Sequence, residues 1–439
     1  LYYSYETGAI RVKDIRYSRK AGKFRKYFIS SAVGLSFVTS MYGVGGIFMT
    51  SYLLYLGVTA PQIGFLAALP NLLNIIQVFS ILIYRKFKSR KKVLITLRAS
   101  QYLVQYLIII VPRIVTDQYQ FAVVAACFFF GHLFRALSGS GAINWNNMFV
   151  PPEIKGKHFS KRNLIGNAMF IVISMSLGQI LDVYDKTYMA YVLILAVTLI
   201  FIALEIFSYS RIDDYNEDLI ETKPLKFKEM FKRPFKNRTY MAFIYFSLAW
   251  MFAQSLSNPY FTFYSKAVLL LEYTYIAFMG SIVAFMKIIS AGIWGGRGDK
   301  KGWRKVLMFA GFAYAAANLL WAFLNPQTVF LYPIGIIMRG LFMIGANIAV
   351  FNLNFELSPD EDRMMFFGFR AALVGIFAFI GPNLAAFIVK FITPIDLSLW
   401  GFGINGYQIV FLLSAIGQFV AVRQFVVYLK HKGLGERHT

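Results

Sequence analysis

Long apolar runs separated by short charged connections dominate the chain. Runs of about 20 residues or more, enough for a helix to cross a bilayer, fall at 28–56, 62–84, 93–115, 120–149, 163–184 and 188–209. A second set falls at 240–265, 273–295, 305–324, 328–356, 365–390 and 406–428. The pattern predicts an all-α polytopic membrane protein with twelve transmembrane helices in two pseudo-symmetric sets of six. The expected organisation is a basic segment at 1–27, an N-terminal six-helix bundle at 28–209, a linker at 210–238, a C-terminal six-helix bundle at 239–428 and a tail at 429–439.

Composition agrees with that pattern. The 439 residues are 58% hydrophobic, 18% aromatic and only 15% charged, and the mean hydropathy is +0.56. A soluble domain carries roughly 25% charged residues, so lipid replaces water over most of this surface. The net charge of +24 would suggest nucleic acid in a soluble chain, but its distribution argues otherwise. Among the 45 Lys and Arg residues, Arg113, Lys186, Lys266 and Lys390 fall on one side. Arg98, Arg135, Lys287, Arg339, Arg370 and Arg423 fall within spans, and all the others lie in alternate connections and at the two ends. Basic connections face the cytoplasm, which predicts cytoplasmic N- and C-termini in a multi-pass plasma-membrane protein, with the lipid bilayer as partner and no nucleic acid.

The linker begins acidic, with Asp213, Asp214, Glu217, Asp218 and Glu221, and turns basic. Its second part reads either as a short interfacial helix with Leu225, Phe227, Met230 and Phe231 toward lipid, or as a flexible tether. One cysteine, Cys127, excludes an internal disulfide. No G-x-x-x-x-G-K-[ST] loop is present, so ATP is not a direct energy source. Neither metal-ligand spacing nor a nucleophile and base set appears. No enzyme activity, metal or cofactor is expected, and nothing points to more than a monomer.

The stretch Gly295 to Lys305, G-G-R-G-D-K-K-G-W-R-K, is a charged hairpin between two apolar spans. Gly295, Asp299, Lys300, Gly302, Arg304 and Lys305 fit G-x-x-x-D-[RK]-x-G-x-[RK]-[RK], which resembles the loop signature of major facilitator superfamily transporters. The first-half counterpart around Lys91 to Leu94 lacks the pattern, with Leu82 and Lys86 at the Gly and Asp positions. In the fourth span, Arg135, Gly139, Gly141 and Ala142 form R-x-x-S-G-S-G-A, similar to a second signature of that superfamily. There the arginine is linked to coupling or substrate binding. The resemblance implies two parallel six-helix repeats with substrate near the midplane, and a hairpin that latches one conformation.

Arg339, Gly345 and Ala346 of the tenth span repeat Arg135, Gly141 and Ala142 at one constant offset. A guanidinium at the bilayer centre costs about 3 kcal/mol or more unless it meets water or a partner. Lys287 adds a third central cation. Acidic partners are scarce: Asp182 falls near the outer end of its span, Glu205 and Glu356 near inner ends. The cluster therefore predicts a small anionic organic substrate held by Arg135 and Arg339 with bidentate geometry, or, equally for Arg135 alone, carbonyl capping of a broken helix or pairing with a distant carboxylate after folding. His132, one turn from Arg135, is a candidate for taking up a proton.

Polar positions suggest the cavity walls: Tyr42 and the glycines of the first span, and Gln254, Asn258, Pro259 and Tyr260 of the seventh. Asn258-Pro259 should break the seventh helix and Gly381-Pro382 the eleventh, making Pro259 and Pro382 candidate gates. Asn144 and Trp145 either form an inner vestibule or cap the fourth helix. The connections P-P-E-I-K-G-K-H-F-S-K-R at Pro151 to Arg162 and S-P-D-E-D-R-M-M-F-F-G-F-R at Ser358 to Arg370 read as gating or folding elements, the second carrying Asp360, Glu361 and Asp362.

The resulting expectation is a secondary active transporter for an anionic solute, working as an antiporter or symporter by alternating access. Three alternatives stay open at this point. A multidrug/proton antiporter would use the 45 Phe and 27 Tyr residues, a lipid or lipid-linked sugar flippase would use the cationic centre, and a receptor or scaffold would have lost transport.

Overall fold

The computed structural model describes residues 19–43, 46–80, 83–84, 87, 89–151, 155–184, 187–214, 233–359, 363–392, 397–399 and 402–433. The basic residues before Arg19, the linker's acidic and amphipathic parts from Tyr215 to Lys232, Leu82, Lys86, Lys186 and the acids Asp360, Glu361 and Asp362 lie outside the described residues.

Each apolar run becomes one helix or an interrupted pair. The first half holds α1 (Arg19–Tyr42), α2 (Ile47–Tyr55), α3 (Ala60–Leu73) continued by a 3-10 turn (Asn74–Phe79), α4 (Arg90–Ile114), α5 (Asp117–Met148), α6 (Lys155–Val183) and α7 (Tyr188–Ser210). The second holds α8 (Arg238–Ser257), α9 (Tyr260–Ala267), α10 (Tyr273–Lys301), α11 (Trp303–Ala322), α12 (Tyr332–Leu357), α13 (Arg363–Ile392) and α14 (Gly406–His431). A small antiparallel hairpin, β1 (Leu397–Leu399) with β2 (Phe402–Ile404), joins α13 to α14. Among the described residues, nine segments are long and apolar enough to cross a membrane. The other three expected spans coincide with the interrupted pieces: α1 with α2, α3 with its 3-10 turn, and α8 with α9.

Local sequence accounts for several ends. Ser89, Asn237 and Asn405 accept from the backbone N–H three residues on, at 3.1, 3.0 and 3.1 Å, satisfying donors that the first helical turn leaves free. Gly302 alone separates α10 from α11, with φ at +82°, a conformation that other residues adopt only under strain.

The prolines show how helices survive them inside a bundle. Proline removes the bond to the carbonyl four residues earlier, and other helices can satisfy that carbonyl instead. For Pro112 the carbonyl is Ile108, which accepts from the Tyr52 hydroxyl at 2.9 Å. For Pro382 it is Ala378, which faces the Asn71 amide of the other half at 3.5 Å. The break expected at Gly381-Pro382 is therefore absent: α13 runs unbroken through it. The expected gating loop at Pro151 to Arg162 is likewise helical from Lys155 onward, as the start of α6.

The two halves repeat one packing scheme. In the first, α1 packs on α6 and α7, α4 on α5 and α7, and α3 on α5. In the second, α8 packs on α13 and α14, α11 on α12 and α14, and α10 on α12. The halves meet chiefly through two helix pairs, α3 with α13 and α6 with α10, and α9 adds contacts with α2 and α3.

Where the cores lie decides which end is closed. At the end nearest Arg19 and His431 each half has its own core. Phe24, Phe28, Trp145, Phe149 and Tyr209 form one, and Tyr240, Phe246, Trp303, Leu353 and Phe425 belong to the other. At the opposite, distal end a single core takes residues from both halves, among them Leu66, Leu177, Tyr260, Tyr273, Ile276 and Val389. Gly178 permits that contact, because a Cβ there would lie 3.1 Å from both Thr274 Cα and the Tyr273 carbonyl oxygen. Elsewhere the outer wall is apolar and exposed, as at Ile200 (68%) and Phe309 (61%), which suits hydrocarbon and not water.

Candidate functional site

The central groups stand on helices that touch the interrupted spans. Arg135, on α5, donates from Nη2 to Thr39 Oγ1 of α1 at 3.4 Å. Arg339, on α12, donates from Nη2 to Asn258 Oδ1 at 3.5 Å. Asn258 lies in the interruption between α8 and α9, so each arginine reaches the first span of its own half. The two are not in contact with each other.

Arg339 is held in an aromatic cage. Its guanidinium lies 3.3 Å from the Phe261 ring centroid and 5.9 Å from those of Tyr314 and Trp321. A desolvated cation-π contact is worth about 2 kcal/mol, enough to offset much of the insertion cost of about 3 kcal/mol. The Nε of Arg339 still has no partner among the described residues. Phe261 and Trp321 also line a cavity of about 160 Å³ between the halves, with Phe48, Phe170 and Leu177 of the first half on its other wall.

Lys287 stands on α10 near Arg339, since Gly340 of α12 packs on Met286 and Val283. Among the described residues, neither Lys287 nor either arginine is paired with a carboxylate. His132 is buried and stacks on Phe128 at 5.8 Å, and its Nε2 has no partner among the described residues.

The remaining residues separate into groups. Gln254 donates to the Tyr314 hydroxyl at 3.2 Å, joining the cage. Tyr260 is fully buried, donates to the Pro382 carbonyl at 3.2 Å and touches Gly64 of α3, so it belongs to the contact between halves. Pro259 lies in the same interruption as Asn258. The Tyr42 hydroxyl is enclosed without a partner among the described residues.

Trp145 does not form a vestibule. It is 1% exposed, edge-on to Phe28 at 5.6 Å and stacked on Tyr209 at 6.2 Å, and neighbouring Asn146 pairs with His158 at 3.0 Å. Asn144 and Gly141 lie on the same helix, their side-chain surroundings outside the described set; Gly139 faces open space. In the hairpin, Asp299, Lys300 and Lys305 are exposed, and a Cβ at Gly295 would meet nothing. Asp299 has no ion-pair partner among the described residues, and Arg304 is only partly exposed.

One group escaped the sequence reading. Glu205, expected near the end of its span, is fully buried beside Arg98, with Arg98 Nε 3.9 Å from Glu205 Oε1. Tyr102 donates to the same carboxylate. Arg98 Nη1 donates to Gln101 Oε1, and Gln101 Nε2 to Gln105 Oε1, both at 3.1 Å. Among the described residues this buried carboxylate is therefore already paired. The signal was present in two charged residues inside spans, but pairing α4 with α7 requires the tertiary packing.

These features define a polytopic α-helical membrane protein of two repeated halves around a polar centre. A sequence profile of the Major Facilitator Superfamily matches residues 31–274, and the chain belongs to that superfamily: it is a multi-pass membrane transporter. Among solved structures, a variant of the nucleoside transporter NupG is similar at a TM-score of 0.73 and 15% identity, covering 92% of this chain and 99% of its own. A bacterial homologue of the iron transporter ferroportin in an inward-facing state is similar at 0.64 and 14% identity, covering 93% and 98%. No curated protein sequence matches the chain.

Proposed function

We propose that the chain is a secondary active transporter that carries an anionic organic solute across the plasma membrane by alternating access, with twelve spans and both termini cytoplasmic. The observation that carries the substrate class is the set Arg135, Lys287 and Arg339, three cations without a carboxylate partner among the described residues. A carboxylate, phosphate or sulfate supplies the missing charge and accepts the guanidinium donors left over. The substrates named for the similar structures do not transfer, because likeness at 14 to 15% identity concerns the fold.

Alternating access is supported by the distribution of cores, joined at the distal end and separate at the other. With cytoplasmic termini this state opens inward. Rocking of residues 19–210 against 238–433 would exchange the two closures. Exchange of one anion for another needs no proton group; in a proton-coupled version His132 is the candidate.

Thermal stabilisation of the purified protein against organic phosphates, carboxylates, neutral solutes and cationic drugs tests the reading, since a ligand of the folded state raises stability by mass action. An anion that stabilises the wild type and not Arg135→Ala is expected. Stabilisation by cationic amphiphiles alone, equal in both proteins, would overturn it.

A further inference from the structure

On the wall of the second half, away from the path between the halves, lies a groove of about 610 Å³. Ile293 and Trp294 of α10 and Met308 and Phe309 of α11 form its sides, and Leu341 and Phe342 of α12 its floor. Trp294 is fixed there, donating from Nε1 to the Leu341 carbonyl at 2.9 Å. Its ring packs on Phe309 and Phe342 at centroid distances of 5.8 and 6.0 Å. The helix α11 packs on α10, α12 and α14 and leaves Phe309 61% exposed, so the groove opens toward lipid.

At the end nearest Gly302, Arg297, Lys301 and Lys305 line the groove. All three are exposed and none has a carboxylate partner among the described residues. Arg297 rests 5.2 Å over the Trp294 ring. The deep end is marked by Ser290. From Lys301 back to Ser290, α10 rises about 16 Å at 1.5 Å per residue, against about 15 Å for the hydrocarbon of one leaflet. Charge therefore sits at headgroup level and the aromatic floor at acyl-chain depth.

We propose that this groove is a specific site for one anionic phospholipid of the bilayer. The phosphate is held by Arg297, Lys301 and Lys305, and an acyl chain lies over Trp294, Phe309 and Phe342. Because Lys301 and Lys305 flank the one-residue turn at Gly302, a bound phosphate clamps α10 to α11 and stiffens the hairpin whose charges change neighbours when the halves rock. The site stands whether or not the transported solute is an anion.

The test is native mass spectrometry of the full-length protein in detergent, titrated with dioleoyl phosphatidylglycerol or dioleoyl phosphatidylcholine. A lysine or arginine near the surface contributes roughly fivefold to binding of an anionic lipid. The combined Arg297→Gln, Lys301→Gln and Lys305→Gln variant should therefore lose about a hundredfold in phosphatidylglycerol affinity. Its thermal midpoint without lipid should hold, because the three side chains are exposed. Lys430→Gln with Lys432→Gln should change phosphatidylglycerol binding little. Phe309→Glu, which puts an acid among the apolar walls, should weaken it as well. Equal binding of the two lipids, or of phosphatidylglycerol by wild type and triple variant, would overturn the proposal. Full competition by the chain-free headgroup glycerophosphoglycerol would also overturn it, making the groove a site for a soluble anion.

Discussion

Asp182 offers a direct handle on the distal closure. It sits at the last turn of α6 and accepts across the halves from the α10 N-terminus. The contacts are Thr274 N at 2.8 Å, Thr274 Oγ1 at 2.7 Å and Tyr273 N at 3.3 Å. Hydrogen bonds to a charged group are worth about 1.5 to 3 kcal/mol each, and an anion at a helix N-terminus adds about 0.3 to 1 kcal/mol. Water reaches this partly exposed site once the halves part, so the net loss in Asp182→Ala is nearer one such bond than three, about 2 to 3 kcal/mol. That lowers the ratio of distal-closed to distal-open protein roughly 30- to 150-fold. Asp182→Asn keeps one acceptor oxygen and should lose about half as much free energy. Spin labels at Met189 and Leu270, which are 60% and 76% exposed, in a Cys127→Ala background would report the distal separation in bilayers by dipolar spectroscopy. A long-distance population should grow from wild type through Asn to Ala. Identical distributions in all three would refute the latch.

Three further outcomes follow from the same contacts. Arg135→Ala and Arg339→Ala should each abolish transport while leaving the protein folded, with Lys287→Ala less damaging; wild-type flux in both arginine variants would remove the anion-site argument. Glu205→Leu strands the buried Arg98 charge and should cost about 3 to 5 kcal/mol, read as a fallen thermal midpoint, and adding Arg98→Leu should restore much of it. A double variant no more stable than Glu205→Leu would contradict the pairing. Gly178→Val pushes against backbone of α10 and, as overpacking costs about 1 to 3 kcal/mol, should raise the distal-open population in the same label experiment. An unchanged distance there would mean the helices do not approach as described.

Hydropathy placed the nine membrane-length helices found among the described residues, because a helix in lipid must satisfy its own backbone and therefore shows itself as a long apolar run. What it could not place was partnership between helices. Pro382 read as a break, and the chain stays helical because Asn71, over 300 positions away, stands at the carbonyl that the proline frees. Trp145 read either as a vestibule residue or as part of a helix cap, and the packing of α1, α5 and α7 encloses it against Phe28 and Tyr209. The arginines were legible as costly groups at matching depths. The cage of Phe261, Tyr314 and Trp321 around one of them was not, because its members come from two helices, α9 and α11, whose aromatic residues look alike among 45 Phe and 27 Tyr. Glu205 does lie near the end of its span, as its place in the sequence says, but that place says nothing about Arg98 reaching it from α4.

The central claim, that an anion is carried by alternating exposure of one site, is tested most directly by counterflow. Proteoliposomes loaded with an excess of the unlabelled anion that stabilises the protein would be diluted into a trace of its labelled form. The account predicts transient accumulation of label above equilibrium in wild type and none in Arg135→Ala. Label that only equilibrates, or enters equally in both proteins, would contradict it.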